Sequence, residues 1–295
     1  MKLLNEYLRE RFGCKVYKLA LNGGFTCPNR DGKIDTRGCI FCSQGGSGEF
    51  AGNLRKSITE QIEEGKKLLS SKIQDGKYIA YFQAFTNTYA PVGVLKNLYT
   101  EALNHPDIVA LSIATRPDCL PEDVLELLDE LNRIKPVWVE LGLQTIHPET
   151  AEYIRRGYPV EIYDRAVREL KLRNIEVITH VILGLPGENP EQMKETVRYV
   201  VGSGSDGIKL QLLHILKGTD LEKEYLTGKV KVLTEDEYIR ILKECVCLIP
   251  DNMVIHRLTG DGDKRILVAP LWSGDKKHVI NRIRNEIIGS GSNVE

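Results

Sequence analysis

Short β-branched or apolar runs alternate along this chain with longer stretches of helical period, and that alternation limits it to few folds. The runs are KVYKLAL from Lys15, YIAYFQ from Tyr78, IVALSIAT from Ile108, VWVELGLQ from Val137, EVITHVILG from Glu176 and GIKLQLLHI from Gly207. Each reads as a strand. Amphipathic stretches begin near Ser57, Val92, Pro121, Pro148 and Pro190, several opened by a proline or a capping hydroxyl, as helix starts should be. Strand, helix, strand in repetition implies an α/β fold with a parallel sheet and right-handed crossovers. Six units amount to an incomplete (βα)6 barrel. The expected divisions are an N-terminal helix over 1–14, the partial barrel over 15–230 and a C-terminal α/β extension over 231–295 that closes it.

In a parallel α/β barrel the working residues collect on the loops after the strands. The first such loop, within GGFTCPNRDGKIDTRGCIFCSQGG, carries Cys27, Cys39 and Cys42. The next five are QAFTNTYAP, TRPDCLP, QTIHPET, GLPGENP and HILKGTD. The strands feeding them are nearly continuous in apolar residues, so Gln83, Glu140, Gln144, His180 and Gln211 stand out. A buried polar group needs a partner, which is either a ligand or a network among neighbouring strands.

The cysteine spacing is CxxxxxxxxxxxCxxC. A cubane held by four cysteines is coordinatively closed, whereas three thiolates leave one iron open for chemistry. Glycines at 23, 24, 32, 38, 45 and 46 suit a chain folding tightly around a cluster, and Phe41, between the CxxC thiols, would keep water off it. The alternative is a zinc knuckle completed by Cys14 or a histidine, although no second CxxC is present. A disulfide framework fits poorly, because the seven cysteines are odd in number and the opening MKLLNEYLRERFG carries charges where a signal peptide needs an apolar run. The cysteines point to a reducing cytoplasm.

With 295 residues, 42% hydrophobic and 27% charged, the chain has the composition of a globular protein. No apolar run approaches the roughly 20 residues that cross a bilayer, so no membrane association is expected. A formal net charge of −1 neither demands nor forbids a nucleic-acid partner, since a local basic face suffices. Basic clusters occur at Arg9, Arg11, Lys15 and Lys18, at Arg155 and Arg156, and at Lys276, Lys277, Arg282 and Arg284. Tyr17, Phe25, Tyr81 and Tyr89 are aromatics able to stack a base or to shield the core. Cys14 and Cys119 read as core thiols, and Cys245 and Cys247, two apart on a helix, make a poor second metal site.

The three-cysteine loop, the partial barrel, ELGLQT and HVILGLPGE together resemble the radical S-adenosylmethionine (SAM) superfamily. The long cysteine spacing, TRPD and ELGLQT are similar to the catalytic subunit of Elongator, and IHRLTGDGDKRILVAPLW resembles the bacterial YhcC/YtqA (MnmL-type) subfamily. The commoner superfamily spacing is CxxxCxxC, and the usual GGE-like segment is replaced here by QAFTNT. Elongator's acetyltransferase domain has no counterpart after the barrel, so its acetyl chemistry is not carried over.

The resemblance implies that Cys27, Cys39 and Cys42 hold a 4Fe-4S cluster and that SAM chelates the fourth iron, is cleaved by one electron, and yields a radical that abstracts hydrogen from substrate. It places Thr86, Asn87 and Thr88 near the methionyl end of SAM, Glu140 and Gln144 at the ribose, and Gly184, Leu185 and Pro186 along the adenine, with Gln211 also toward the cofactor. Arg116 is expected to pair with the SAM carboxylate or an anionic substrate, the alternative being a salt bridge to Asp118; with Glu140 and Gln144 it forms the expected catalytic set. Tyr89, Lys209, His214, His256, Arg257 and Asp261 are expected at the substrate, the last three on a loop closing the barrel. The implied substrate is tRNA, by modification of the wobble-uridine C5 side chain from carboxymethylaminomethyl to aminomethyl, with flavodoxin or ferredoxin as electron donor. A small metabolite or peptide substrate, or a zinc-stabilised binding protein, are the alternatives.

Overall fold

All six runs form strands in the computed structural model, which describes residues 1–70, 76–260 and 262–289. The strands are β1 Lys2–Leu3, β2 Val16–Leu21, β3 Lys77–Phe82, β4 Ile108–Thr115, β5 Val137–Gln144, β6 Glu176–Leu183, β7 Gly207–Leu212, β8 Ile215–Leu216, β9 Val254–Arg257 and β10 Leu267–Ala269. The helices are α1 Leu4–Phe12, α2 Ile58–Leu69, α3 Val92–Asn104, α4 Glu122–Asn132, α5 Pro148–Tyr153, α6 Val160–Leu172, α7 Pro190–Gly202, α8 Asp220–Leu226, α9 Glu235–Val246 and α10 Lys276–Ile283. Helix starts follow their local chemistry. Ser57 and Glu60 exchange hydrogen bonds at the head of α2, and Asn189 with Gln192 does the same for α7.

Eight strands form one parallel sheet in the order β1-β9-β7-β6-β5-β4-β3-β2, curled into a half-barrel. It exceeds the six-unit expectation by β1 and β9, which extend it beyond β7. Strand β9 lies within the extension expected after residue 230 and β1 within the segment expected to be only helical, so the sheet joins all three. The antiparallel pair β8 and β10 sits apart from the sheet.

Residues paired across neighbouring strands share a face, and side-chain contacts group the concave face into layers. The lowest holds Val16, Ile79, Ala110, Trp138 and Ile178, which pack with Leu8 of α1. Helix α1 thus plugs the N-terminal end of the half-barrel. Tyr7 lies against Trp138 with ring centroids 6.1 Å apart, and its hydroxyl donates to Glu176 at 2.7 Å. Hydrogen bonds join Lys18, Tyr81, Ser112, Glu140, His180 and Lys209 into the next layer. Two residues further along each strand the same face carries Ala20, Ala114, Gly142, Ile182 and Gln211, with Ala20 beside Tyr81, Ala114 beside Glu140 and Gly142 beside His180 in register. The opposite face, with Leu19, Leu21, Phe82, Leu111, Val139 and Val177, is buried under the helices in the main core.

Candidate functional site

The three cysteines lie on the loop leaving β2, at the carboxyl end of the sheet, where barrel sites form. Cys39 and Cys42 are half-buried, and desolvation together with the charge of the neighbouring thiols pushes the Cys39 thiol up to about 12. Cys42 shifts in the same direction through burial. Asn29, 1% exposed, donates from Nδ2 to Cys39 Sγ at 3.4 Å and to the Arg155 carbonyl at 2.7 Å. Arg30 donates to the Cys42 and Ser43 carbonyls. Gly46, at φ +60°, is required because a Cβ there would stand 2.3 Å from the Phe85 ring. Phe41 and Ile40 pack with Ile182, Leu185 and Leu213, so an apolar cluster supports the underside of the loop. Among the described residues no three His, Cys, Asp or Glu side chains gather around a point that one metal ion could occupy. A single zinc requires its sulfurs at about 2.3 Å from a common centre, whereas thiolates on a cubane sit on separate irons.

The second loop is buried and well tied. Asn87 donates to the Ala114 carbonyl at 2.7 Å, and Thr88 Oγ1 meets Thr115 Oγ1 at 2.6 Å. Thr86 is likewise buried. Gln144 ends β5 after a register shift and adopts φ +64°. That bend is clamped from below: buried Arg156 donates to the Leu143 and Thr145 carbonyls, and the Tyr158 hydroxyl to that of Gly142. A Cβ at Gly142 would stand 2.6 Å from Gln144 Nε2, so the Gln144 carboxamide lies directly against this position. The carboxamide oxygens of Asn29, Asn87 and Gln144 are buried and accept no hydrogen bond from protein. Buried acceptors without donors are rare, and three on the loops of one barrel end are suited to a ligand rich in N–H and O–H groups.

Glu140 departs from expectation. It lies in the middle of β5, fully buried, and its oxygens are taken by protein: Oε1 by Lys18 Nζ at 2.6 Å and Ser112 Oγ at 2.7 Å, Oε2 by His180 Nε2 at 2.8 Å and Lys209 Nζ. An ionised carboxylate offers about four lone-pair positions, so little is left for a ribose. Burial raises its proton affinity, but the two lysines and His180 outweigh that and hold it well below the usual carboxylate range. His180 is neutral, its affinity lowered by burial to about 4. Its Nε2 therefore donates to Glu140 while Nδ1 accepts from Gln211 Nε2 at 3.2 Å. Burial pushes Lys209 down to about 7, and its Nζ also donates to the Tyr81 hydroxyl at 3.2 Å.

The remaining expected residues divide. Arg116 takes the alternative weighed for it: two of its N–H groups grip Asp118 at 2.9 and 2.7 Å, a third donates to the Arg156 carbonyl at 3.0 Å, and the guanidinium stacks 4.9 Å from the Tyr158 ring. Its charge is thus committed to Asp118, although it still favours the thiolate of Cys39. Gly184 turns the chain out of β6 at φ +88°, and Leu185 is buried in the cluster beneath the cysteine loop. Pro186 follows, half-buried. Tyr89 packs on the cysteine loop, with Lys33 over its ring at 5.3 Å, and not in the barrel. His256 is a correction. It meets Trp138 edge-on at 5.7 Å in the apolar floor, because β9 continues the sheet where a loop was expected. Arg257 pairs in register with Lys209, and His214 lies under the following loop, where Gly260 and Gly262 press on its ring. Asp261 lies outside the described residues. Lys18, Ser112 and Asn29 were not expected at the site; a lysine in an otherwise apolar strand was the available signal for the first.

A sequence model described as the radical SAM superfamily matches residues 33–200, and one described as the radical SAM C-terminal domain matches residues 205–288. The chain belongs to the radical SAM superfamily. The Bacillus subtilis protein YtqA is 47% identical over 289 residues, 98% of this chain and 90% of that protein. A Methanocaldococcus jannaschii protein named tRNA uridine(34) acetyltransferase is 29% identical over 163 residues, 54% of this chain and 30% of its own length. Among solved structures, the Elp3 of Methanocaldococcus infernus superposes with a TM-score of 0.66 at 20% identity, covering 86% of this chain and 58% of that one. The radical SAM fold expected from the sequence is therefore present, with two more strands than its six-unit outline. No described helix is long and apolar enough to cross a membrane.

Proposed function

We propose that this radical SAM enzyme binds a 4Fe-4S cluster on Cys27, Cys39 and Cys42 and SAM beside it, and modifies the C5 side chain of a wobble uridine in tRNA. When bound, the pair supplies one-electron cleavage of SAM and hydrogen abstraction. The protein's own part is to bind, orient and exclude water. Asn29 and Arg30 hold the cysteine loop in shape. The buried carboxamide oxygens of Asn87 and Gln144 suit the amino and hydroxyl donors of SAM. Of the two residues expected at the ribose, Gln144 keeps that role, since the oxygens of Glu140 are occupied.

The observation that carries the tRNA reading is the similarity to an archaeal protein named for acting on uridine 34 of tRNA, over 54% of this chain. An unstacked anticodon-loop base presents its C5 substituent readily to a pocket. The carboxymethylaminomethyl to aminomethyl conversion is the specific reaction proposed: the bond between the side-chain nitrogen and the carboxymethyl carbon breaks, the amine stays on the uridine, and the two-carbon acid leaves as glyoxylate with an oxygen from water, SAM being the two-electron oxidant and ending as methionine and 5′-deoxyadenosine. Flavodoxin or ferredoxin is the class of reductant that primes the cluster, and the cytoplasm the compartment. Nucleoside analysis of total tRNA from cells with and without the gene tests this. Loss of the gene should raise the carboxymethylaminomethyl form at the expense of the aminomethyl form, and an unchanged profile removes the reading.

A further inference from the structure

The concave face is apolar at the floor and charged in the middle. The middle layer sets the Lys18 and Lys209 ammonium groups against a single carboxylate, that of Glu140. His180 contributes no charge when neutral, and Tyr81 and Ser112 are uncharged; Arg257 faces the same groups from β9 and also acts on Lys209 and His180. Two buried ammonium groups on one carboxylate leave positive charge in excess, a costly arrangement unless an anion completes it. Burial, and after it the charges of Lys18 and Arg257, lower the proton affinity of Lys209 against the pull of Glu140.

Helix α1 and the Trp138 layer close the floor, whereas the side chains of Lys18 and His180 are 17% and 16% exposed. Further along the same strands this face carries the small Ala20, Ala114 and Gly142 on β2, β4 and β5 and the larger Ile182 and Gln211 on β6 and β7. Lys18, Lys209 and Glu140 by themselves carry an excess of one charge, which a carboxylate supplies; a phosphate monoester brings about 1.5 to 2.

We infer that this chamber receives a carboxylate at the tip of a slim substrate arm, held by the ammonium groups of Lys18 and Lys209 above Glu140. The inference rests on the proposed function, in which the arm is the C5 side chain of the uridine and the carboxylate its terminal group. Substrate is thereby told from product at the one group that only the substrate carries.

The test is calorimetric titration of the cluster-loaded full chain, with SAM present, by two anticodon stem-loop RNAs at one fixed salt concentration. The RNAs differ only at the wobble uridine, one carrying carboxymethylaminomethyl and the other aminomethyl at C5. The carboxylate-bearing RNA should bind at least about tenfold more tightly. Lys18→Met and Lys209→Met should each bring that ratio toward one; the partly exposed Lys18 provides a variant that folds if Lys209→Met does not. Equal affinity of the wild type for both RNAs overturns the chamber and leaves the tRNA reading standing. If neither RNA binds, the tRNA reading fails, and the chamber is judged on sodium acetate against inorganic phosphate at matched ionic strength by NMR of nitrogen-labelled lysine. A Lys209 signal moved by acetate more than by phosphate supports the chamber; no movement, or a larger one with phosphate, overturns it.

Discussion

Lys18 Nζ lies 2.6 Å from Glu140 Oε1, although β2 and β5 are separated in the sheet by β3 and β4. Adjacent strands are about 4.8 Å apart, so a flat sheet would hold these backbones roughly 14 Å from each other. The contact exists because the sheet curls and both side chains point toward the axis of the half-barrel. Glu140 is therefore the hub of the barrel interior, with partners from β2, β4, β6 and β7.

Replacing that hub should cost the fold more than it costs cofactor binding alone. Glu140→Ala leaves two ammonium groups buried without their shared anion, a situation that destabilises proteins by about 3–5 kcal/mol. Urea unfolding should show a loss of that order, and Glu140→Gln, which keeps shape and hydrogen-bonding atoms, should lose less. Wild-type stability in Glu140→Ala would refute the hub role.

The same cluster sets a pH dependence of stability. Folded Lys209 releases its proton near 7, against an ordinary value of 10.5. Between those values the unfolded chain binds more protons, so stability rises with pH across that window and is lowest below it. His180, lowered to about 4, gives a rise of the same sign between about pH 4 and 6.5. Urea midpoints measured from pH 6 to pH 10 should climb in the wild type and flatten in Lys209→Met; a wild-type profile falling through that range contradicts the assignment.

Gln144 offers a cleaner probe of cofactor binding than Glu140, since its carboxamide oxygen is buried and accepts nothing from the protein. Gln144→Ala should weaken SAM by about tenfold, the worth of one hydrogen bond of roughly 1.4 kcal/mol. Equilibrium dialysis against SAM reads the effect, and iron content should not change. Iron lost together with SAM would make Gln144 structural.

Asn29 should act on the cluster electronically. Its Nδ2 donates to Cys39 Sγ, and hydrogen bonds to cluster sulfurs influence the reduction potential. Asn29→Ala should shift the potential downward in a potentiometric titration followed by electron paramagnetic resonance. An unmoved potential would confine Asn29 to holding the Arg155 carbonyl.

The strands of the barrel were legible because each is a run of β-branched and apolar residues bounded by polar loops, and the cysteine loop because ligand spacing is local. Strands β1 and β9 were not, being two and four residues long and held in place by the sheet edge. The depth of Glu140 was hidden for a different reason. A polar residue in an apolar strand announces itself, but its layer depends on pairing with β4 and β6, which no single segment contains. His256 was misplaced in the same way, by the unseen pairing of β9 with β7. Parts of two basic clusters are taken up within the protein: Arg155 pairs with Asp220, Arg156 is buried, and Arg282 pairs with Asp236 and Glu286.

The electron paramagnetic resonance spectrum of anaerobically reconstituted, reduced protein, recorded without and then with SAM, is the decisive measurement for an iron that three cysteines leave accessible. The expected result is a brown protein with about four irons per chain, a spectrum that changes when SAM is added, and loss of both colour and signal in Cys39→Ala. A colourless zinc protein, or an iron signal that SAM leaves unaltered, would contradict it.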